Sequence, residues 1–176
     1  MATPTILTCR GSYFDFTCPE ESEFDIYVIA HALSHLCRFT GHVLQFYSVA
    51  QHSVLVSQLV PPHLAMQGLL HDAAEAFIGD VAAPLKRLLP DYKAIERRVE
   101  AAVLARFGLP AELDVEVKAA DLKALDVERR ELMPPHEAND WGLHGIGAVY
   151  TALPALRSHD ARQLFLDRFF ALGGHA

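Results

Sequence analysis

The stretch Leu69-Leu70-His71-Asp72-Ala73-Ala74-Glu75-Ala76-Phe77-Ile78-Gly79-Asp80 decides how the rest of the chain is read. A histidine and an aspartate stand side by side in a run that is otherwise almost wholly apolar. If the run is helical, Glu75 lies one turn beyond His71 on the same face, while Asp72 points about a quarter-turn away. Ionisable groups in a segment apolar enough to be buried are costly unless something pairs with them, and a metal ion is the usual solution. Taken alone, the dipeptide favours a capping or hydrogen-bonded histidine beside a solvated aspartate. What decides is whether other helices send ligands to the same place.

Upstream, Ser48 is a good N-cap for a helix that runs through Val60 and stops at Pro61-Pro62. Its apolar side carries Leu55, Val56 and Leu59, and His52 falls at helical spacing from them, on the core-facing side. Downstream, Asp121 lies one turn after Val117 and one turn before Ala124 and Leu125. A carboxylate on the apolar side of a helix needs a reason. His52, His71, Asp72 and Asp121 therefore come inward from three helices. Two neutral imidazoles and two carboxylates suit one divalent transition metal, Mn, Co, Fe or Zn, and fit Mg or Ca less well. Four protein ligands around an octahedral ion leave two positions for water and substrate oxygen, as a catalytic metal requires.

The remaining pattern is helical too. Apolar residues at Ile26, Ile29, Ala30, Leu33 and Leu36 predict a helix over 25–37, and a third helix is expected from Pro62 to Phe77. A short piece opens at Pro84, an amphipathic helix spans Asp91 to Phe107, and another spans Leu113 to Met133. The Gly-, Pro- and His-rich stretch 134–154 reads as a long loop, and a last helix runs from about Asp160 to Leu172. Residues 5–16 read as two short β-prone runs around Arg10-Gly11-Ser12, a small N-terminal hairpin. The expected fold is all-α: a bundle of about six to seven helices, with residues 1–176 forming a single domain.

Composition sets the outer limits. The chain has 176 residues, enough for one domain with a real core, and 51% of them are apolar, which excludes a disordered chain. No apolar run approaches the roughly 18 residues that span a bilayer, and no signal peptide is evident, so no membrane partner and a cytoplasmic setting are expected. The three cysteines, Cys9, Cys18 and Cys37, form no CxxC and fit a reducing compartment. A net charge of −7 argues against a polynucleotide partner, which would need a basic stripe, but not against a small phosphorylated ligand. His31 and His35 stand i, i+4 on the first helix with no acidic partner nearby, so a surface or capping role is favoured over chelation.

The order His52 … His71-Asp72 … Asp121 resembles the signature of the HD-domain metal-dependent phosphohydrolase superfamily. Ser48-Val49-Ala50-Gln51-His52-Ser53, His71-Asp72-Ala73-Ala74-Glu75, Gly79-Asp80, Pro84-Leu85-Lys86 and Lys118-Ala119-Ala120-Asp121 resemble its bacterial 5′-deoxynucleotidase branch and the small HD hydrolases of phages and prophages. The similarity covers about residues 24–133. It implies an HD-type helical bundle in which His52, His71, Asp72 and Asp121 bind one divalent metal. Asp72 and Glu75 would serve catalysis, with Glu75 the acid/base or orienting group near the reacting water. Arg38 and Lys86 would hold phosphate, Phe39 would line the pocket and Asp80 would meet the sugar. The family carries a tryptophan where this chain has Phe39.

The resemblance implies a phosphoric monoester hydrolase that releases phosphate from (deoxy)nucleoside 5′-monophosphates. Its rivals are a deoxynucleoside triphosphate triphosphohydrolase and a non-catalytic, metal-containing nucleotide sensor. A small nucleotide is the expected partner, and a homo-oligomer of two or more copies is compatible with the family. The chemistry agrees: phosphoryl transfer asks mainly for positioning and for cations around the developing charge, and no Walker loop or Gly-x-Ser-x-Gly elbow competes.

Overall fold

The computed structural model describes residues 3–135, 141, 143 and 153–176. Strands β1 (Thr5–Leu7) and β2 (Tyr13–Asp15) pair antiparallel, with Ile6 opposite Phe14, and make the expected hairpin. The rest is mainly helical: α1 (Ile26–His35), α2 (Val49–Leu59), α3 (Ala65–Leu70), α4 (Glu75–Ile78), α5 (Ala83–Lys86), α6 (Pro90–Arg106), α7 (Val115–Leu132) and α8 (Ser158–Ala171). Two of these, α4 and α5, are single turns. The all-α reading with a small hairpin therefore holds. The loop expected over 134–154 lies mostly outside the described residues.

Helix α2 is the axis on which the others are arranged. Ser48 caps it as expected: its hydroxyl accepts from the Gln51 N–H while the Gln51 side chain accepts from the Ser48 N–H, a reciprocal capping box. Every residue from Val49 to Ser57 is buried, so α2 is covered all round rather than along one stripe. It packs against α1, α3, α7 and α8. Gly68 makes the closest of these approaches possible, since a Cβ there would meet the Ser57 Cα and the Val60 Cγ2 at 3.0 Å each.

The apolar core on the α1 side gathers Ile29, Leu33, Leu70, Val103 and Phe165 with the hairpin's Phe14. A smaller cluster on the other side joins Val56, Leu64, Val117 and Ala124. Phe14 stacks on Phe77 with ring centroids 3.8 Å apart, which docks the hairpin onto the turn that carries Glu75.

The helix expected from Pro62 to Phe77 is interrupted. A 3₁₀ turn at Pro62–Leu64 leads into α3, which ends at Leu70, and α4 begins only at Glu75. Between them the chain tightens to i→i+3 bonds: the Ala73 N–H donates to the Leu70 carbonyl at 3.0 Å and the Glu75 N–H to the Asp72 carbonyl at 3.0 Å. The correction matters because the break falls at His71-Asp72.

Candidate metal centre

His52 sits at the middle of α2 with no solvent exposure. Its Nδ1–H donates to Oε1 of Glu128 at 2.6 Å, which fixes the tautomer and leaves Nε2 as an acceptor. His71 is held the same way: its Nδ1–H donates to the Gly68 carbonyl at 2.9 Å. Both Nε2 lone pairs therefore face each other, 3.2 Å apart. Asp72 Oδ2 lies 3.1 Å from His71 Nε2 and 3.4 Å from His52 Nε2, although neighbouring side chains diverge by about 100° in a regular helix. Asp121, from α7, brings Oδ1 to 3.3 Å of His52 Nε2.

A cluster of acceptors this close is repulsive unless a positive charge lies among them. Burial and the nearby Arg38 both oppose a charge on His52, yet Glu128, Asp121 and Asp72 outweigh them and its pKa stands well above the ordinary imidazole value. Asp72 moves the opposite way: burial raises its pKa, and His71 and His52 more than reverse that. Such a pocket calls for positive charge, which a proton on His52 supplies in the absence of a metal ion and a bound metal ion would supply in its place. The donor set fits a divalent metal held by His52, His71 and Asp72, whose ligand atoms all lie within 4.8 Å of one another among the described residues. Asp121 joins this group through His52, while its other oxygen accepts from Lys118 Nζ at 2.6 Å.

Glu75 is 7% exposed, with Oε1 3.6 Å from Lys86 Nζ and Oε2 buried without a hydrogen-bond partner. Burial, then Asp72 and Asp80, push its pKa well above the ordinary carboxyl range, and Lys86 and Arg38 offset only part of this. Glu75 is thus a carboxyl poised to hold a proton beside the cation pocket. Lys86 reaches the centre only by way of Glu75, and its stronger bond, at 2.6 Å, goes to Glu96.

Arg38 is brought to the site and already carries partners. Its Nε and Nη2 donate to Glu128 Oε2 at 3.2 and 2.9 Å, and Nη1 reaches Asp80 at 3.4 Å. Phe39 lies under the guanidinium, with its ring centroid 5.4 Å away, and against Trp141 at 6.0 Å. Phe39 and Thr40 both adopt left-handed backbone, φ 54° and 55°, so the loop that presents Arg38 is strained where it meets the site. His42, in the same loop, is exposed. His31 and His35 stand apart from this cluster: His35 Nδ1 bonds the His31 carbonyl at 2.7 Å.

Sequence reasoning missed Glu128. It is fully buried and links His52 to Arg38 through its two carboxylate oxygens. Burial pushes its pKa up, but Arg38 and His52 prevail and it stays ionised below the usual carboxylate range. The signal was its place two helical turns after Asp121, on the same face as Ala124 and Val117.

No family model matches the chain. It is 44% identical over 167 residues to the uncharacterized protein YfdR of Escherichia coli (strain K12), an alignment that covers 93% of each chain. The chain belongs to the YfdR family. An uncharacterized protein of Rhodobacter capsulatus is 36% identical over 126 residues, which cover 66% of this chain and 64% of that one. A 5′-deoxynucleotidase of Pasteurella multocida is a more distant relative, 34% identical over 82 residues, or 44% of this chain and 40% of that enzyme. A hydrolase is thus related to part of the family's chain, and the family member described here carries a group of side chains able to hold a metal. No helix among the described residues is long and apolar enough to cross a membrane.

Proposed function

We propose that this chain is an HD-type, metal-dependent phosphohydrolase that releases phosphate from small nucleotides, (deoxy)nucleoside 5′-monophosphates first among them. The observation that carries this reading is the pair of Nε2 atoms of His52 and His71, both freed by donation from Nδ1 and both facing Asp72. The partial relationship to a 5′-deoxynucleotidase supports the substrate class. A divalent ion in this donor set would lower the pKa of water and polarise a phosphoryl oxygen.

The chain's own residues supply the rest. Asp72 and Asp121 complete the anionic side of the cation pocket. Glu75, with one buried oxygen uncommitted, holds or takes the proton that moves when water attacks phosphorus and the ester oxygen leaves. Arg38 keeps its positive charge beside the pocket and is fixed in direction by Glu128, so that it meets the developing phosphoryl charge without reorganising. Phe39 and Trp141 give an aromatic wall without an indole at position 39, and Asp80 stands across from Arg38 where the sugar would lie. Deoxy substrates are therefore expected to be preferred by a modest margin. A small nucleotide remains the proposed partner, with no polynucleotide.

The test is a panel of matched ribo- and deoxynucleoside mono- and triphosphates with Mn, Co and Mg, scored for phosphate against triphosphate release. Metal-dependent phosphate release from the monophosphates is expected, with Mn or Co above Mg. Triphosphate release would make the chain a triphosphohydrolase. Tight nucleotide binding with no cleavage under any metal would make it a sensor.

A further inference from the structure

A cavity of about 450 Å³ is walled by Cys9 and Arg10 of the hairpin, Tyr27 and His31 of α1, and Arg162 of α8. That is a volume typical of small-molecule sites. Among the described residues no carboxylate lines it, although the chain as a whole carries a net charge of −7. Arg10 is neutralised from outside the cavity by Asp25 and lies over the Tyr27 ring at 5.3 Å. Arg162 has no such relief: among the described residues it makes no ion pair, and its Nε is buried without a hydrogen-bond partner. A guanidinium that lines a cavity without a carboxylate partner presents a planar fork suited to a planar or tetrahedral oxyanion. Burial, then His35 and Arg162, hold the His31 imidazole below its ordinary pKa.

A narrower apolar slot of about 100 Å³ opens from the same place and shares Cys9 and His31. Ile6, Val28, Ala76 and Phe77 line it. Its walls include the two residues that follow Glu75, so an occupant bears directly on the turn that carries Glu75.

We propose that this cavity is a binding site for a phosphate monoester of a small organic molecule, with the oxyanion on Arg162 and Arg10 and the apolar part in the slot beside Phe77. The site is separate from the metal centre and its occupancy does not depend on turnover there.

Cys9, an exposed free thiol in the wall, gives a direct reading. Alkylation by iodoacetamide, followed peptide by peptide, is compared with and without phenylphosphonate, which mimics the ester and cannot be hydrolysed, and with inorganic phosphate. Phenylphosphonate should slow Cys9 alkylation at least about threefold in a saturable way, with phosphate weaker, while Cys18 is unaffected. Arg162→Gln should abolish the protection and Arg162→Lys restore part of it. Cys37, next to Arg38, reports on the other site. Protection of Cys37 instead of Cys9, no protection at all, or protection that persists in Arg162→Gln would each overturn the proposal. Because alkylation reads binding alone, an inactive protein would leave this test intact, and a negative result here would leave the phosphohydrolase reading untouched.

Discussion

His52 on α2 and Arg162 on α8 lie on neighbouring helices, and the protein treats them in opposite ways. His52 has a partner at both ring nitrogens: Glu128 at one, and His71, Asp72 and Asp121 at the other. Arg162 faces a cavity that holds two other basic side chains and no carboxylate. Where carboxylates gather around buried imidazoles, the surplus is negative and the pocket calls for a cation. Where Arg162 lines a cavity with no ion-pair partner among the described residues, the surplus is positive and the cavity suits an anion. Charge compensation, more than residue type, separates the two sites, and each can be broken by removing the group that creates its imbalance.

The largest effect is expected from Asp121→Ala. It removes negative charge from the cation pocket and frees Lys118 beside it. Metal content should fall and turnover should be abolished. Undiminished metal by elemental analysis together with wild-type rates would sink the assignment of Asp121 to the centre.

Glu75 should separate chemistry from metal binding. Glu75→Ala is expected to keep the metal and lose on the order of 10²-fold in rate, the usual weight of a positioned acid/base group. Its raised pKa also has a stability consequence. A carboxyl whose pKa is higher in the folded than in the unfolded chain binds its proton more tightly when folded. The fold is therefore stabilised by it below the unfolded value of about 4.3 and loses that contribution as pH rises through the folded pKa. Glu75→Gln should then raise the melting temperature of the metal-free protein at pH 7 and leave it unchanged at pH 4. An equal shift at both pH values would show that charge is not the cause.

Much of this centre was legible in the sequence, and what was not has particular reasons. Helix α2 was bounded to within one residue because Ser48 and Pro61-Pro62 are strong local signals that tertiary packing had no cause to override. His52, His71, Asp72 and Asp121 could be gathered because each is out of keeping with an apolar face. The interruption after Leu70 was invisible, since Leu-Leu-His-Asp-Ala-Ala-Glu contains no Gly or Pro and every residue in it suits a helix. Glu128 was lost for another reason: it stands in Asp126-Val127-Glu128-Arg129-Arg130, which reads as a solvated charged face. Arg129 and Arg130 do pair locally with Asp126, yet Glu128 turns inward between them. The cavity at Arg162 could not be foreseen, because it depends on the hairpin and α8 meeting across α1.

Glu128 supplies the next test, intermediate in size. Glu128→Ala leaves Arg38 buried without its main counter-charge and His52 without the acceptor that fixes its tautomer. Breaking a buried pair from one side costs about 3–5 kcal/mol. Denaturant unfolding should show a loss of that order, and metal affinity should fall with it. Glu128→Gln keeps an acceptor and the shape and should recover part of both. A Glu128→Ala protein as stable as wild type would mean that the link from His52 to Arg38 carries little.

The smallest effect sharpens the comparison most, because it sets two arginines of one helix against each other. Arg168 is bonded within the protein: Nε donates to the Ser57 hydroxyl at 2.9 Å and Nη2 to the Ser57 carbonyl at 3.0 Å, so that α8 is latched to α2. A hydrogen bond from a charged donor contributes about 1.5–3 kcal/mol, and Arg168→Ala should cost stability on that scale. Arg162, six residues earlier, makes no ion pair among the described residues, and its Nε has no hydrogen-bond partner. Truncation to Arg162→Ala should shift stability by no more than about 0.5 kcal/mol, as for a residue outside any bonded network, and relief of an unmet buried N–H would make even that small shift favourable. The two variants are to be unfolded side by side in a buffer without phosphate or sulfate. If a half-buried side chain at the wall of a cavity stabilises nothing, its partner lies outside the chain. A loss in Arg162→Ala equal to that in Arg168→Ala would instead make Arg162 part of the scaffold, and the contrast between the two regions would fall.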